Sequence, residues 1–310
     1  MTSVELNNLT KKYDKEKVVA VDSVSLSVNK GELFGLIGPD GAGKSSIFRI
    51  LTTLLLPDGG TAKVEGYDVV KDYKTIRGNV GYMPGKFSLY QDLTVEENLS
   101  FFATVFGTTI EENYELIKDI YIQIEPFKKR RAGNLSGGMK QKLALSCALI
   151  HKPSILFLDE PTTGVDAVSR KEFWEMLKRL KEQGITIMVS TPYMDEATLC
   201  DRIALIQSGK ILSIDTPEGI INSYKGKLYA VKSDSMHKLI NDLRAFDYTR
   251  TCFAFGTYHH VSFTDREKDF TSDLQDYLKR KGHNEVEIKP VEPSIEDCFI
   301  DMTEEKKIEA

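Results

Sequence analysis

The chain has 310 residues, enough for about two domains, and its 41 basic and 46 acidic side chains leave a formal charge of only −5. Hydrophobic residues make up 41% of it, which supplies a packed core and excludes a disordered tract, while the near-balanced charge with no long basic run excludes nucleic acid as the main partner. The longest apolar runs, residues 51–56 and 155–158, stop at Pro57 and Asp159, far short of the roughly 18 residues that a membrane span needs.

The first residues carry Ser3, Glu5, Asn7 and Asn8 where a secretory leader has a basic segment and then an apolar one, so a cytoplasmic location is expected. From residue 4 to about 213, short apolar or β-branched runs alternate with longer amphipathic segments, the pattern of an α/β domain. Strands are predicted over 24–28 and 32–37, then a helix over 43–54. A second helix is predicted over 95–106, opened by Thr94 and Glu97, which fit a capping box. Further helices are predicted over 139–150 and 168–183, with strands over 155–158, 185–190 and 202–207. Strand signals vanish between residues 88 and 150, which predicts a helical subdomain inserted in the α/β core.

A turn signal at Ser208-Gly209-Lys210 and a break at Thr216-Pro217 precede a change of character. From residue 227 the order is strand (228–232), helix (236–245), strand (251–255), strand (259–263), helix (268–281) and strand (286–290), the β-α-β-β-α-β order of the ferredoxin-like motif. A larger domain over residues 1–220 and a small α+β domain over 226–310 are therefore expected. Cys147, Cys200, Cys252 and Cys298 lie far apart with no metal-type pairing and are expected as buried, reduced thiols.

Gly38, Pro39, Asp40, Gly41, Ala42, Gly43, Lys44 and Ser45 satisfy G-x-x-x-x-G-K-[ST] between a predicted strand and a predicted helix, and Ser46 follows on the helix. Glycines let the backbone curl so that successive N–H groups point at phosphate oxygens, and the helix start adds its positive end. Lys44 is expected to reach the β- and γ-phosphates and the Ser45 hydroxyl to hold Mg²⁺, which identifies a nucleoside triphosphate site. Residues 155–160 form an apolar strand ending in Asp159 and Glu160. Asp159 is expected near the metal, and Glu160 beside the attacking water as the catalytic carboxylate.

A second anion-binding helix start is written in Leu135-Ser136-Gly137-Gly138-Met139-Lys140-Gln141. With this segment the chain, from about residue 4 to 215, resembles an ATP-binding-cassette (ABC) transporter ATPase subunit, whose signature is LSGGQ or a close variant. The resemblance implies a P-loop NTPase core with a helical subdomain, ATP and Mg²⁺ as ligands, and separate membrane permease subunits that hold the chain at the inner face of the cell membrane. It also implies a head-to-tail pair of cassettes, in which Ser136, Gly137 and Gly138 serve the partner's ATP. Tyr13 stands where the family stacks an aromatic on adenine, although an ordinary surface tyrosine on a strand fits the same position. Gly164-Val165-Asp166 matches the loop that crosses the dimer interface, with Asp166 as the interfacial acid. Residues 293–300, Pro-Ser-Ile-Glu-Asp-Cys-Phe-Ile, resemble the ending of exporter-type ATPases associated with drug and antibiotic efflux.

Two positions depart from the family's pattern. Gly85, in Gly81-Tyr82-Met83-Pro84-Gly85, aligns with a glutamine, and Pro192, in Thr191-Pro192-Tyr193, aligns with the histidine that bonds the γ-phosphate. Glycine offers no side-chain donor or acceptor, and proline offers neither an imidazole nor a backbone N–H. Both losses fall on the composite site of Lys44, Asp159 and Glu160, whereas the partner-facing Ser136, Gly137, Gly138 and Asp166 are retained. An asymmetric heterodimer is expected, this chain holding ATP in a slow site. An active homodimer relying on Glu160 and a non-hydrolytic ATP-dependent module are the alternatives. Residues 87–106, rich in aromatics, are expected to line a groove for a permease helix, or else to contribute Phe101, Phe102 and Phe106 to the core.

Overall fold

Residues 33–37, Leu-Phe-Gly-Leu-Ile, are apolar without alternation, which suits a strand covered on both faces, and all five are buried. In the computed structural model, which describes residues 1–13, 17–265 and 268–309, they form a central strand of a mostly parallel sheet. Contacts divide the chain into two units, Met1–Glu218 and Gly219–Ala310.

The first unit runs β1 (Thr2–Tyr13), β2 (Val18–Asn29), β3 (Leu33–Ile37), α1 (Lys44–Leu51), β4 (Gly59–Val64), β5 (Tyr67–Asp68), α2 (Tyr73–Asn79) and β6 (Val80–Met83). It continues through α3 (Val95–Val105), α4 (Tyr114–Tyr121), α5 (Gly137–Leu149), β7 (Ile155–Asp159), α6 (Ala167–Glu182), β8 (Thr186–Thr191), β9 (Arg202–Gln207) and β10 (Lys210–Asp215). One sheet has the order β10-β9-β3-β8-β7-β6, parallel except for the β9–β10 hairpin. That hairpin turns at Ser208 and Gly209, both at positive φ, as a two-residue loop requires. The other sheet is antiparallel, β2-β1-β4-β5. Along β2 buried and exposed residues alternate, so its apolar face meets α1, whose Ile47, Phe48, Ile50 and Leu51 join residues of both sheets in one core.

Among the described residues, α3, α4 and α5 are the α-helices between β6 and β7, as the loss of strand signals predicts. Thr94 and Glu97 make both bonds of the capping box at the start of α3. Helix ends differ from expectation for local reasons. The helix predicted to reach residue 54 stops at Leu51, because Thr52 turns its hydroxyl back to the Phe48 carbonyl and Thr53 takes a positive φ. The helix predicted from 139 starts at Gly137, capped by the Ser136 hydroxyl on the Met139 N–H.

α7 (Pro217–Asn222) leads into the second unit: β11 (Leu228–Lys232), α8 (Met236–Arg244), β12 (Thr249–Phe255), β13 (Tyr258–Phe263), α9 (Thr271–Arg280), β14 (Glu287–Val291) and α10 (Ile295–Glu309). Its sheet order, β12-β13-β11-β14, is antiparallel throughout, which is the interleaved β-α-β arrangement of the ferredoxin-like motif. Leu239 and Leu243 of α8 and Leu274 and Leu278 of α9, each pair four residues apart, pack on Val231, Val261 and Phe263. The helix predicted from 268 begins at Thr271, where the Asp269 carboxylate accepts the Thr271 N–H. All four cysteines are free and buried, and burial pushes their thiols up. Among the described residues no helix is long and apolar enough to cross a membrane.

Candidate nucleotide-binding site

β3 ends at Ile37, and Gly38–Ser45 forms the turn into α1. A side chain at Gly38 would meet the Ile206 carbonyl at 2.2 Å, and one at Gly43, with φ 103°, would meet the Ala20 carbonyl at 2.1 Å. The loop can pass this close to its neighbours only as glycine. Lys44 is buried at 3% exposure. Its Nζ donates to the carbonyls of Gly38 at 2.8 Å and Pro39 at 3.0 Å and lies 3.2 Å from Glu160 Oε1. The phosphate loop and Glu160, which follows the end of β7, are far apart in sequence yet share one site.

Asp159 closes β7 and is 3% exposed; its Oδ1 accepts from the Ser190 hydroxyl at 2.6 Å on the adjacent strand β8. Glu160 takes φ 50°, an uncommon conformation for a non-glycine residue, and its N–H is held by the carbonyl and hydroxyl of Ser190. Ser190 thus holds the Asp159 carboxylate and the Glu160 backbone, a role that no sequence motif announced. Burial, with the Asp159 charge second, pushes the Tyr82 phenol up to about 12.

Gly85 and Pro192 sit at the same site. A Cβ at Gly85 would stand 3.1 Å from the Asp159 carbonyl and 3.8 Å from Glu160 Cβ. Pro192 follows Thr191, the last residue of β8, whose carbonyl accepts the Gly38 N–H. Tyr13 is 37% exposed at the end of β1, with its hydroxyl 3.1 Å from Ser46 Oγ. Its ring therefore stands beside the start of α1.

Ser136, Gly137 and Gly138 open α5 elsewhere on this unit, against the start of α6: a Cβ on Gly138 would meet Ser169 Oγ at 2.8 Å, and one on Gly137 the Gly164 carbonyl at 3.6 Å. Asp166 caps α6 through the Val168 and Ser169 N–H groups, with the Ser169 bonds first in holding its carboxyl below the usual range. The signature segment and the Asp166 loop thus lie side by side.

A family model described as "ABC transporter" matches residues 21–163, which contain the phosphate loop, the signature segment and both acids. The doxorubicin resistance ATP-binding protein DrrA of Mycobacterium tuberculosis is 32% identical over 97% of this chain and 93% of its own length. The chain belongs to the ABC transporter ATP-binding family. The probable multidrug ABC transporter ATP-binding protein YbhF of Escherichia coli is 36% identical over 96% of this chain; the chain spans 52% of that relative's length. A solved dimeric ATP-binding cassette in a post-hydrolysis state, bound to ADP and Pi, superimposes with a TM-score of 0.63 at 26% identity, over 69% of this chain and 98% of that one.

In this cassette the segment after Gly85 lines a groove of about 670 Å³. Leu54, Met83, Leu89, Phe102, Val105 and Phe106 line it, together with Arg49 and Arg77. Phe102 and Phe106 are thus groove residues, and Phe101 is 39% exposed against Tyr90, so none of the three belongs to the buried core.

Proposed function

We propose that the chain is the ATP-binding subunit of an ABC exporter and the slow-site member of a heterodimer of cassettes. In this reading residues 1–220 bind the nucleotide and 226–310 form an accessory domain, and separate permease subunits hold the chain at the inner face of the cell membrane. The exporter assignment is supported by the drug-resistance and multidrug transporter names of the relatives.

Tyr13 stacks on adenine, while Gly38 through Gly43 offer backbone N–H groups to the phosphates and Lys44 supplies the positive charge. Ser46 lies beside Tyr13 at the helix start. Ser45 and Asp159 present a hydroxyl and a carboxylate, hard oxygen donors that suit Mg²⁺, which when bound neutralises phosphate charge. Glu160 is the catalytic base that accepts a proton from the attacking water, its backbone N–H anchored by Ser190 and its carboxylate 3.2 Å from Lys44 Nζ.

The observation that carries the heterodimer reading is the pairing of Gly85 with Pro192 at one site. Losing a single oriented polar group at a reacting centre costs roughly 10²–10³ in rate, by analogy with an oxyanion donor. With two such groups absent, binding survives on backbone contacts and hydrolysis does not. The other face retains Ser136, Gly137, Gly138 and Asp166 to complete the site of a second cassette that does carry the glutamine and histidine. The groove beside Phe102 and Phe106 receives a cytoplasmic helix of a permease.

The test is ATP turnover by the purified chain, alone and with the cassette encoded beside it. The expected result is Mg-ATP binding with little turnover alone and rapid turnover by the pair. Rapid hydrolysis by this chain alone, abolished by Glu160→Gln, would overturn the heterodimer reading.

A further inference from the structure

Glu196 is 1% exposed in the short 3-10 helix Met194–Leu199, and both its oxygens are spoken for. Oε1 accepts from the Thr162 hydroxyl at 2.7 Å, and Oε2 accepts from the Thr191 hydroxyl at 2.5 Å. Thr162 and Thr191 are themselves buried, and Thr191 Oγ1 also accepts the Tyr193 N–H at 3.1 Å. Arg170 of α6 brings Nε to 3.6 Å from Glu196 Oε1 and lays its guanidinium over the Tyr193 ring, 4.2 Å from the centroid.

The two threonines belong to different functional segments. Thr162 lies between Glu160 and the loop that leads to Asp166, whereas Thr191 directly precedes Pro192. A carboxylate in this dry setting is not explained as a stability device, since an apolar side chain of similar volume commonly does as well or better. What the carboxylate adds is geometry: two charge-assisted bonds, one to each segment, which neither can leave without stranding a buried polar group.

We propose that Glu196 is a positioning residue that ties the Asp166 loop to the end of β8, so that a shift beside the γ-phosphate at position 192 is carried to the face read by a second cassette. The last step rests on the paired-cassette reading above; the tie itself does not. Although Pro192 removes one side-chain contact to the nucleotide, this linkage stays in place through the residue before it.

Thr162→Val and Thr191→Val each remove one hydroxyl at nearly constant volume, and Thr162→Ser restores the hydroxyl. In the full-length chain, hydrogen–deuterium exchange is followed in residues 161–169 and 191–197, alongside affinity for a fluorescent ATP analogue with Mg²⁺. Each valine variant is expected to speed exchange in the segment it does not belong to by about fivefold or more, the scale of a coupling between bonded neighbours. Affinity is expected to stay within about twofold, and Thr162→Ser to return to wild-type exchange. Acceleration confined to the substituted segment would overturn the proposal.

In the paired cassettes, Thr162→Val is expected to lower kcat by about tenfold at unchanged KM, which separates a positioning effect from lost folded protein. An unchanged kcat would overturn the transmission step. Failure of the wild-type chain to bind the analogue would instead defeat the nucleotide reading, with the exchange result still deciding the link.

Discussion

Around Lys44, Ser45, Asp159 and Glu160 the chain has a phosphate loop and two fixed acids, but the neighbouring positions 85 and 192 hold a glycine and a proline. Around Ser136, Gly137, Gly138 and Asp166 the serine, both glycines and the acid of the family pattern are present, with Met139 where LSGGQ has its glutamine, and the helix starts of α5 and α6 are both side-chain capped. The contrast separates two tasks that a single site usually combines. Phosphate binding depends on backbone N–H groups and one lysine, which follow from the shape of the loop. Hydrolysis depends on oriented side chains around one water, so two substitutions can silence it and leave the loop intact.

The contrast is tested most severely by restoring what is missing. Gly85→Gln with Pro192→His is expected to raise this chain's own turnover by about 10²–10³, measured in single-turnover assays on its bound ATP. The Cβ of the new glutamine stands 3.1 Å from the Asp159 carbonyl, so the loop must give by a few tenths of an ångström. No gain in the double variant would place the defect elsewhere. Lys44→Met is expected to weaken Mg-ATP binding about 100-fold, as loss of a charged donor worth roughly 3 kcal/mol predicts, without affecting binding in the second cassette. Equal losses in both cassettes, read by titration calorimetry, would erase the distinction between the two faces.

Smaller effects sharpen the same picture. Tyr13→Ala is expected to cost about 1–2 kcal/mol of ATP affinity through lost base stacking, by analogy with aromatic–base contacts elsewhere, and Tyr13→Phe much less. If both variants bind alike, Tyr13 is a surface residue, and its 3.1 Å contact with Ser46 is local structure only. Thr94→Ala, which removes the cap on α3 beside the groove, is expected to cost about 1 kcal/mol in urea denaturation, with ATP affinity unchanged.

The phosphate loop, the signature segment and the two acids were legible in sequence because each is a contiguous motif whose geometry follows from local backbone chemistry. The interleaved order of the small domain was legible too, since its helices repeat leucines at four-residue spacing. Strands β4 and β5 were not: Gly59-Gly60-Thr61-Ala62-Lys63-Val64 carries too little apolar alternation to announce a strand, and pairing with β1 decides it. Helices α2, α4 and α10 were missed for related reasons, being short or, in α10, masked by a motif read as a family ending. The Glu196 cluster was invisible because its hydroxyls come from residues 29 positions apart (191 − 162), and only the β7–β8 pairing brings them together.

In the heterodimer proposed above, this chain's hydrolytic groups matter less to turnover than the signature segment it offers its partner. The direct measurement compares steady-state ATP turnover of the paired cassettes after Glu160→Gln and after Ser136→Arg, each made in this chain alone. Glu160→Gln is expected to leave most of the turnover and Ser136→Arg to remove nearly all of it. Loss of turnover with Glu160→Gln and its survival with Ser136→Arg would contradict the heterodimer reading.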